Sequence, residues 1–134
     1  MTPFPKTEKP VLDPVLTARV EQIKDLVASC IQCGTCSASC PNLCFMDMTP
    51  RKMWRSVLCD RVEEVFSSDT FSMCSSCYMC TLRCPRGLPL TRAMAGLKQI
   101  GFGLHMARFR RAGLFYGAFM DNISRYGRVR EMEM

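Results

Sequence analysis

The chain has little of what most enzymes use. One histidine, His105, occurs in 134 residues. No G-x-G-x-x-G or phosphate-loop pattern is present, so no nucleotide or flavin site is visible. Carboxylates are scattered, and residues 86–130 hold a single one, Asp121, against nine basic side chains. The longest apolar stretch, over 112–120, contains two glycines and is too short to span a bilayer. The opening MTPFPKTEKP has no apolar core of a secretory signal, which makes the cytoplasm the expected setting. β-Branched alternating runs are few, which argues against a sheet protein.

Cysteine, by contrast, is abundant: the chain has ten. In a cytosolic chain thiols stay reduced, so five structural disulfides are not expected. The remaining roles are metal ligand, redox group and small core residue. Eight of the ten fall into two copies of one pattern, Cys30-x2-Cys33-x2-Cys36-x3-Cys40-Pro41 and Cys74-x2-Cys77-x2-Cys80-x3-Cys84-Pro85. This is the bacterial run that holds a [4Fe–4S] cluster. Three thiolates two residues apart wrap one face of a cubane, and the fourth, set further along before a proline, ligates the other cluster in two-cluster proteins. The spacing therefore assigns Cys30, Cys33, Cys36 and Cys84 to cluster 1, and Cys74, Cys77, Cys80 and Cys40 to cluster 2. Structural zinc uses paired C-x2-C units, and a third cysteine plus a fourth before proline, all repeated, fits it poorly. Cys44 and Cys59 lie outside both runs and read as small buried hydrophobes.

Residues 1–12, with three prolines, read as an extended arm. Asp13-Pro14 signals a helix start, followed by Leu16, Val20, Ile23 and Val27 at helical spacing. Thr49-Pro50 repeats the signal and opens an apolar stripe from Met53 to Phe66 that ends at Ser67-Ser68-Asp69. Cys59 falls inside that expected helix. A third helix starts near Pro89, carries Leu90, Met94, Leu97 and Ile100, and breaks at Gly101-Phe102-Gly103. A fourth covers roughly residues 104–126, with Gly127 as C-cap. The expectation is an all-α protein, a helical ferredoxin of the two-cluster type. Its expected units are an arm (1–12), a cluster-binding domain (13–103) and a basic amphipathic docking helix (104–134). The connection from Cys40 to Cys74 holds a full helix, for which a small β-rich ferredoxin has no room.

No nucleophile, acid–base pair or open iron is evident, so no substrate-converting site is expected on this chain alone. His105 reads as a helix-surface or core residue. One-electron transfer is the chemistry left.

The stretches CIQCGTCSASCP (30–41), TPRKMWRSVL (49–58), CSSCYMCTLRCPRG (74–87) and LFYGAFMDNISRYGRVRE (114–131) resemble the C subunit of heterodisulfide reductase and its bacterial relatives. The resemblance implies a helical ferredoxin with two [4Fe–4S] clusters. It would relay electrons between an A-type partner, bearing flavin and Fe–S groups, and a disulfide-active B-type partner, in a hetero-oligomer. In methanogens that disulfide joins coenzymes M and B. Cys44 and Cys59 are not part of the family's ligand set, and family members often run further beyond Gly127-Arg128-Val129-Arg130-Glu131.

The net charge of +6 is all on the C-terminal side: residues 1–85 balance, and 86–130 carry +8. Two [4Fe–4S]²⁺ cores with four thiolates each are −2 apiece, bringing the loaded chain to about +2. Arg108, Arg110, Arg111, Arg125, Arg128 and Arg130 interleave with Phe109, Phe115, Tyr116 and Phe119. Arginine and aromatics together mark protein interfaces, and docking to a partner subunit is our reading. The alternatives are a solvated arginine face, or a redox sensor binding nucleic acid through this region. A free ferredoxin-like carrier is the third functional alternative.

Overall fold

A computed structural model describes residues 14–104 and 110–133, with the side chains of 110–112 and 133 excepted. The expected arm over 1–12, the Asp13 cap, His105, Arg108 and Phe109 lie outside the described residues. Within them the fold is all-α, with seven helices and no strand. They are α1 (Pro14–Val27), α2 (Thr35–Ala38), α3 (Pro50–Leu58), α4 (Val62–Phe66), α5 (Met79–Leu82), α6 (Leu90–Gly103) and α7 (Arg110–Tyr126).

The core is built by α1, α3, α4 and α6. Val20, Ile23 and Val27 of α1 meet Ala93, Met94, Leu97 and Ile100 of α6, all buried, as their helical spacing predicts. Met53, Trp54 and Val57 of α3 and Val65 and Phe66 of α4 complete it. Phe71 packs edge-to-face on Phe66, with ring centroids 5.6 Å apart. The α1–α6 approach is close enough to need glycine. A Cβ on Gly96 would sit 2.9 Å from Ile23 Cδ1 and 3.0 Å from its Cγ1.

Thr49 caps α3, with Pro50 at the first helical position. Its hydroxyl accepts the Lys52 N–H at 3.3 Å. The apolar stripe from Met53 to Phe66 is not one helix, however. It breaks after Leu58, where Asp60 adopts φ 57°. The Asp60 N–H then bonds Val57 C=O at 3.2 Å, and the Arg61 N–H bonds Ser56 C=O at 2.8 Å. These are the paired bonds of a Schellman stop. Cys59 is therefore a helix cap and exposed, not a buried helical residue, and Cys44 is exposed too. Further differences concern α6 and α7. α6 continues through Gly101 and Gly103 to a cap at Leu104, and α7 is described from Arg110. Gly127 ends α7 in the left-handed region, at φ 67°, as a C-cap glycine does. Its N–H bonds Ile123 C=O at 2.8 Å.

The connection between the two cysteine runs is pinned by Thr70, which is fully buried. Its hydroxyl accepts the Met48 N–H at 3.0 Å and donates to Met48 C=O at 2.6 Å. Asp47 Oδ1 accepts the Asp69 N–H alongside, at 3.0 Å.

Candidate metal centre

The two cysteine runs adopt the same backbone. In the first, Gln32 (φ 58°) and Gly34 (φ 86°) flank Cys33 in the left-handed region; in the second, Ser76 (φ 57°) and Tyr78 (φ 63°) flank Cys77 likewise. Only one of these four is glycine. A non-glycine residue held there costs on the order of 1 kcal/mol or more, so three such residues mark a loop shape imposed from outside local preference. Alternating left- and right-handed residues aim successive N–H groups into a concavity, the arrangement that holds anions and Fe–S groups. Each loop feeds a four-residue helix, α2 or α5, carrying the third cysteine, Cys36 or Cys80. The fourth lies just past its end, with the Cys40 N–H on Ser37 C=O and the Cys84 N–H on Thr81 C=O, both 3.2 Å.

This repeat builds two cavities. Cys30, Cys33, Cys36 and Cys84 line the first, with about 300 Å³ of empty space, part of it open to solvent. Cys40, Cys74, Cys77 and Cys80 line the second, with about 430 Å³ of empty space likewise partly open to solvent, and Cys36 also borders it. Each cavity thus gathers three cysteines of one run and the last of the other. All eight cysteines singled out by spacing are at one or other cavity; Cys44 and Cys59 are at neither. Among the described residues no three His, Cys, Asp or Glu side chains converge on a single ion position.

Several groups beyond the cysteines shape the cavities, and most of them leave no mark in the sequence pattern. The first is polar. Gln32 Nε2 donates to Cys30 Sγ at 3.4 Å, the Thr35 hydroxyl lies 3.3 Å from Cys33 Sγ, and Arg51 lines the wall. The Thr35 hydroxyl and backbone hold Cys33 below the usual thiol range, with Arg51 adding attraction. The second is more apolar, bordered by Met46, Pro50, Trp54, Met79 and Met94. Burial pushes Cys40 upward, and Cys36 likewise. Here the Ser76 N–H points at Cys74 Sγ (3.4 Å), and the Trp54 indole N–H is buried with no partner among the described residues. The Asn42 side-chain amide bonds Met73 C=O at 2.8 Å, and Lys98 Nζ donates to Cys74 C=O, fastening the rim.

α3 and α6 both begin at these cavities, Pro50 and Thr91 at the second, Arg51 and Leu90 at the first. Helix N-termini carry partial positive charge and favour anionic groups. Four-sulfur donor sets and helix N-termini at both cavities, with the Ser76 amide and the unpartnered Trp54 donor at the second, fit an anionic, sulfur-rich [4Fe–4S] group. Cys33 and Cys77, the middle cysteines of the two runs, are exposed.

The 4Fe-4S dicluster domain family matches residues 29–89. The C subunit of the ferredoxin:CoB-CoM heterodisulfide reductase of Methanosarcina mazei is 39% identical over 74 residues, 55% of this chain and 45% of that protein. The iron-sulfur C subunit of the CoB–CoM heterodisulfide reductase of Methanopyrus kandleri is 38% identical over 74 residues, 55% of this chain and 38% of that protein. Another such iron-sulfur C subunit, from Methanocaldococcus jannaschii, is 38% identical over 80 residues, covering 60% of this chain and 42% of that protein. The match spans 38–45% of the length of these curated relatives. Over its cysteine-bearing part the chain is thus similar to heterodisulfide reductase C subunits, and it matches the 4Fe-4S dicluster domain family over residues 29–89. No helix among the described residues is long and apolar enough to cross a membrane.

Proposed function

We propose that the chain is the small electron-transfer subunit of a heterodisulfide reductase-type complex. It holds two [4Fe–4S] clusters, one on Cys30, Cys33, Cys36 and Cys84, the other on Cys74, Cys77, Cys80 and Cys40. The observation that carries this reading is the crosswise grouping of cysteines at two adjacent cavities. A [4Fe–4S] cluster supplies one-electron exchange at a tuned potential. The chain's own residues do the rest. The Cys40 and Cys84 crossings tie both runs into one unit. Buried Trp54, Met94 and Leu90 keep water from the inner walls. Exposed Cys33 and Cys77 leave one edge of each site at the surface, where electrons can enter and leave.

Exposed apolar side chains suit a subunit rather than a free carrier. Ile31 and Tyr78 stand within the two runs, and Leu114, Phe115 and Met120 are exposed on α7. Residues 13–103 are taken as the cluster-bearing unit, and 104–134 as the extension that docks on an A-like or B-like partner, in the cytoplasm. Purification of the tagged chain from native extract tests this: larger flavin and Fe–S subunits should come with it. A folded, soluble chain emerging alone overturns the subunit reading.

A further inference from the structure

The chain has one tryptophan, Trp54, in α3. It is completely buried and borders the second cavity with Cys40, Cys74, Cys77 and Cys80. An indole N–H can only donate, and buried donors almost always find an acceptor. This one has none among the described residues. The thioethers of Met46 and Met94 border the same cavity without accepting from it, and the Thr91 hydroxyl is engaged with Thr81 at 2.8 Å. Among the described side chains one other buried polar atom is unpartnered, Gln32 Oε1, an acceptor at the first cavity that could not donate to sulfur. The unfilled space Trp54 borders is the one that the reading above gives to a sulfur-rich anion.

We propose that the Trp54 indole N–H is a hydrogen-bond donor to a sulfur of the group held by Cys40, Cys74, Cys77 and Cys80, and that it raises that group's reduction potential above what its apolar walls would set. The inference rests on the two-cluster reading. Its physical basis is that reduction adds negative charge, and a donor aimed at the sulfurs stabilises the more negative state. At the first cavity Gln32 and Thr35 stand at hydrogen-bond distance from the sulfurs instead, with Arg51 lining the wall, and Trp54 does not border it, so Trp54 acts on one potential only. It is a positioning residue and makes no bond to iron.

The test compares the anaerobically prepared full chain with its Trp54→Phe variant, which keeps a ring and loses the donor. Iron and sulfide are counted first, then both midpoints are read by EPR-monitored redox titration. The expected result is one midpoint lowered, by up to about tenfold in the reduction equilibrium, which is about 59 mV for one electron, with the other unmoved. Full iron and sulfide with both midpoints unchanged overturns the inference and leaves the two-cluster reading standing. A wild-type chain without sulfide overturns that reading, and the inference with it. If the variant does not load, wild-type protein grown with ¹⁵N-indole tryptophan decides, because the label marks Trp54 alone. A ¹⁵N coupling on one of the two reduced signals supports the bond; its absence from both overturns it.

Discussion

Ser37 Oγ accepts the backbone N–H of Arg51 at 2.9 Å. The second half of the chain repeats this: Thr81 Oγ1 accepts the backbone N–H of Thr91, also at 2.9 Å. Ser37 and Thr81 each follow the third cysteine of a run, and Arg51 and Thr91 each occupy the second position of the helix after that run. A hydroxyl on each short cysteine-bearing helix therefore caps the longer helix whose N-terminus faces the cavities.

The two caps should differ in worth. Ser37→Ala opens an exposed cap, so about 0.5 kcal/mol is expected. Thr81→Val strands a half-buried N–H and breaks the Thr81–Thr91 hydroxyl pair, so about 2 kcal/mol is expected. Denaturant unfolding of the two loaded variants gives the order; equal costs would contradict it.

Arg51 is the charged side chain at the first cavity, its Cδ 3.6 Å from where a Gly34 Cβ would lie. Arg51→Leu removes a positive charge beside the thiolates of the proposed first cluster, which disfavours the added electron. It should lower that cluster's midpoint while leaving the second in place. Together with Trp54→Phe this forms a double dissociation readable in the same titration.

How much of this was legible in the sequence follows from how local each determinant is. The eight cysteines are spaced along short loops, so their pattern alone pointed to the residues that line the cavities, and Thr49-Pro50 marked the start of α3. The break at Asp60 was hidden, because the apolar stripe runs on from Val57 to Val62 and an aspartate, rather than a glycine, takes the left-handed position. Gln32, Ser76 and Tyr78 hide their loop geometry in the same way. The Ser37 and Thr81 caps, and the stranded donor of Trp54, depend on partners or cavities distant in sequence, which no local pattern records.

Removal of iron should unravel the molecule unevenly. Helices of four residues do not stand without support, and α2 and α5 are both that short. Chelation is expected to raise amide exchange at 30–40 and 74–84 by orders of magnitude, while Val27, Val57 and Leu97 in the helical core stay protected longest. Uniform loss of protection would show that the core depends on the cysteine loops as well.

The α1–α6 contact gives a stability prediction away from the site. Gly96→Val must displace buried Ile23, and a cost of about 2 kcal/mol is expected, read as a lower unfolding midpoint with iron content unchanged. The Ile23→Val background should recover part of it.

On α7, Phe115→Ser with Met120→Ser removes exposed apolar surface from the proposed docking helix. Stability should move by less than about 0.5 kcal/mol per site, while co-purification of larger subunits falls sharply. Retained co-purification would place the docking surface elsewhere.

The central claim is that eight cysteines hold two iron–sulfur cubanes in crossed fashion. Metal and acid-labile sulfide analysis of the anaerobically purified chain tests it most directly. The account predicts about eight irons and eight sulfides per chain, falling by half in either Cys40→Ser or Cys84→Ser as each variant loses its own cluster. Zinc without sulfide in the native chain would contradict it.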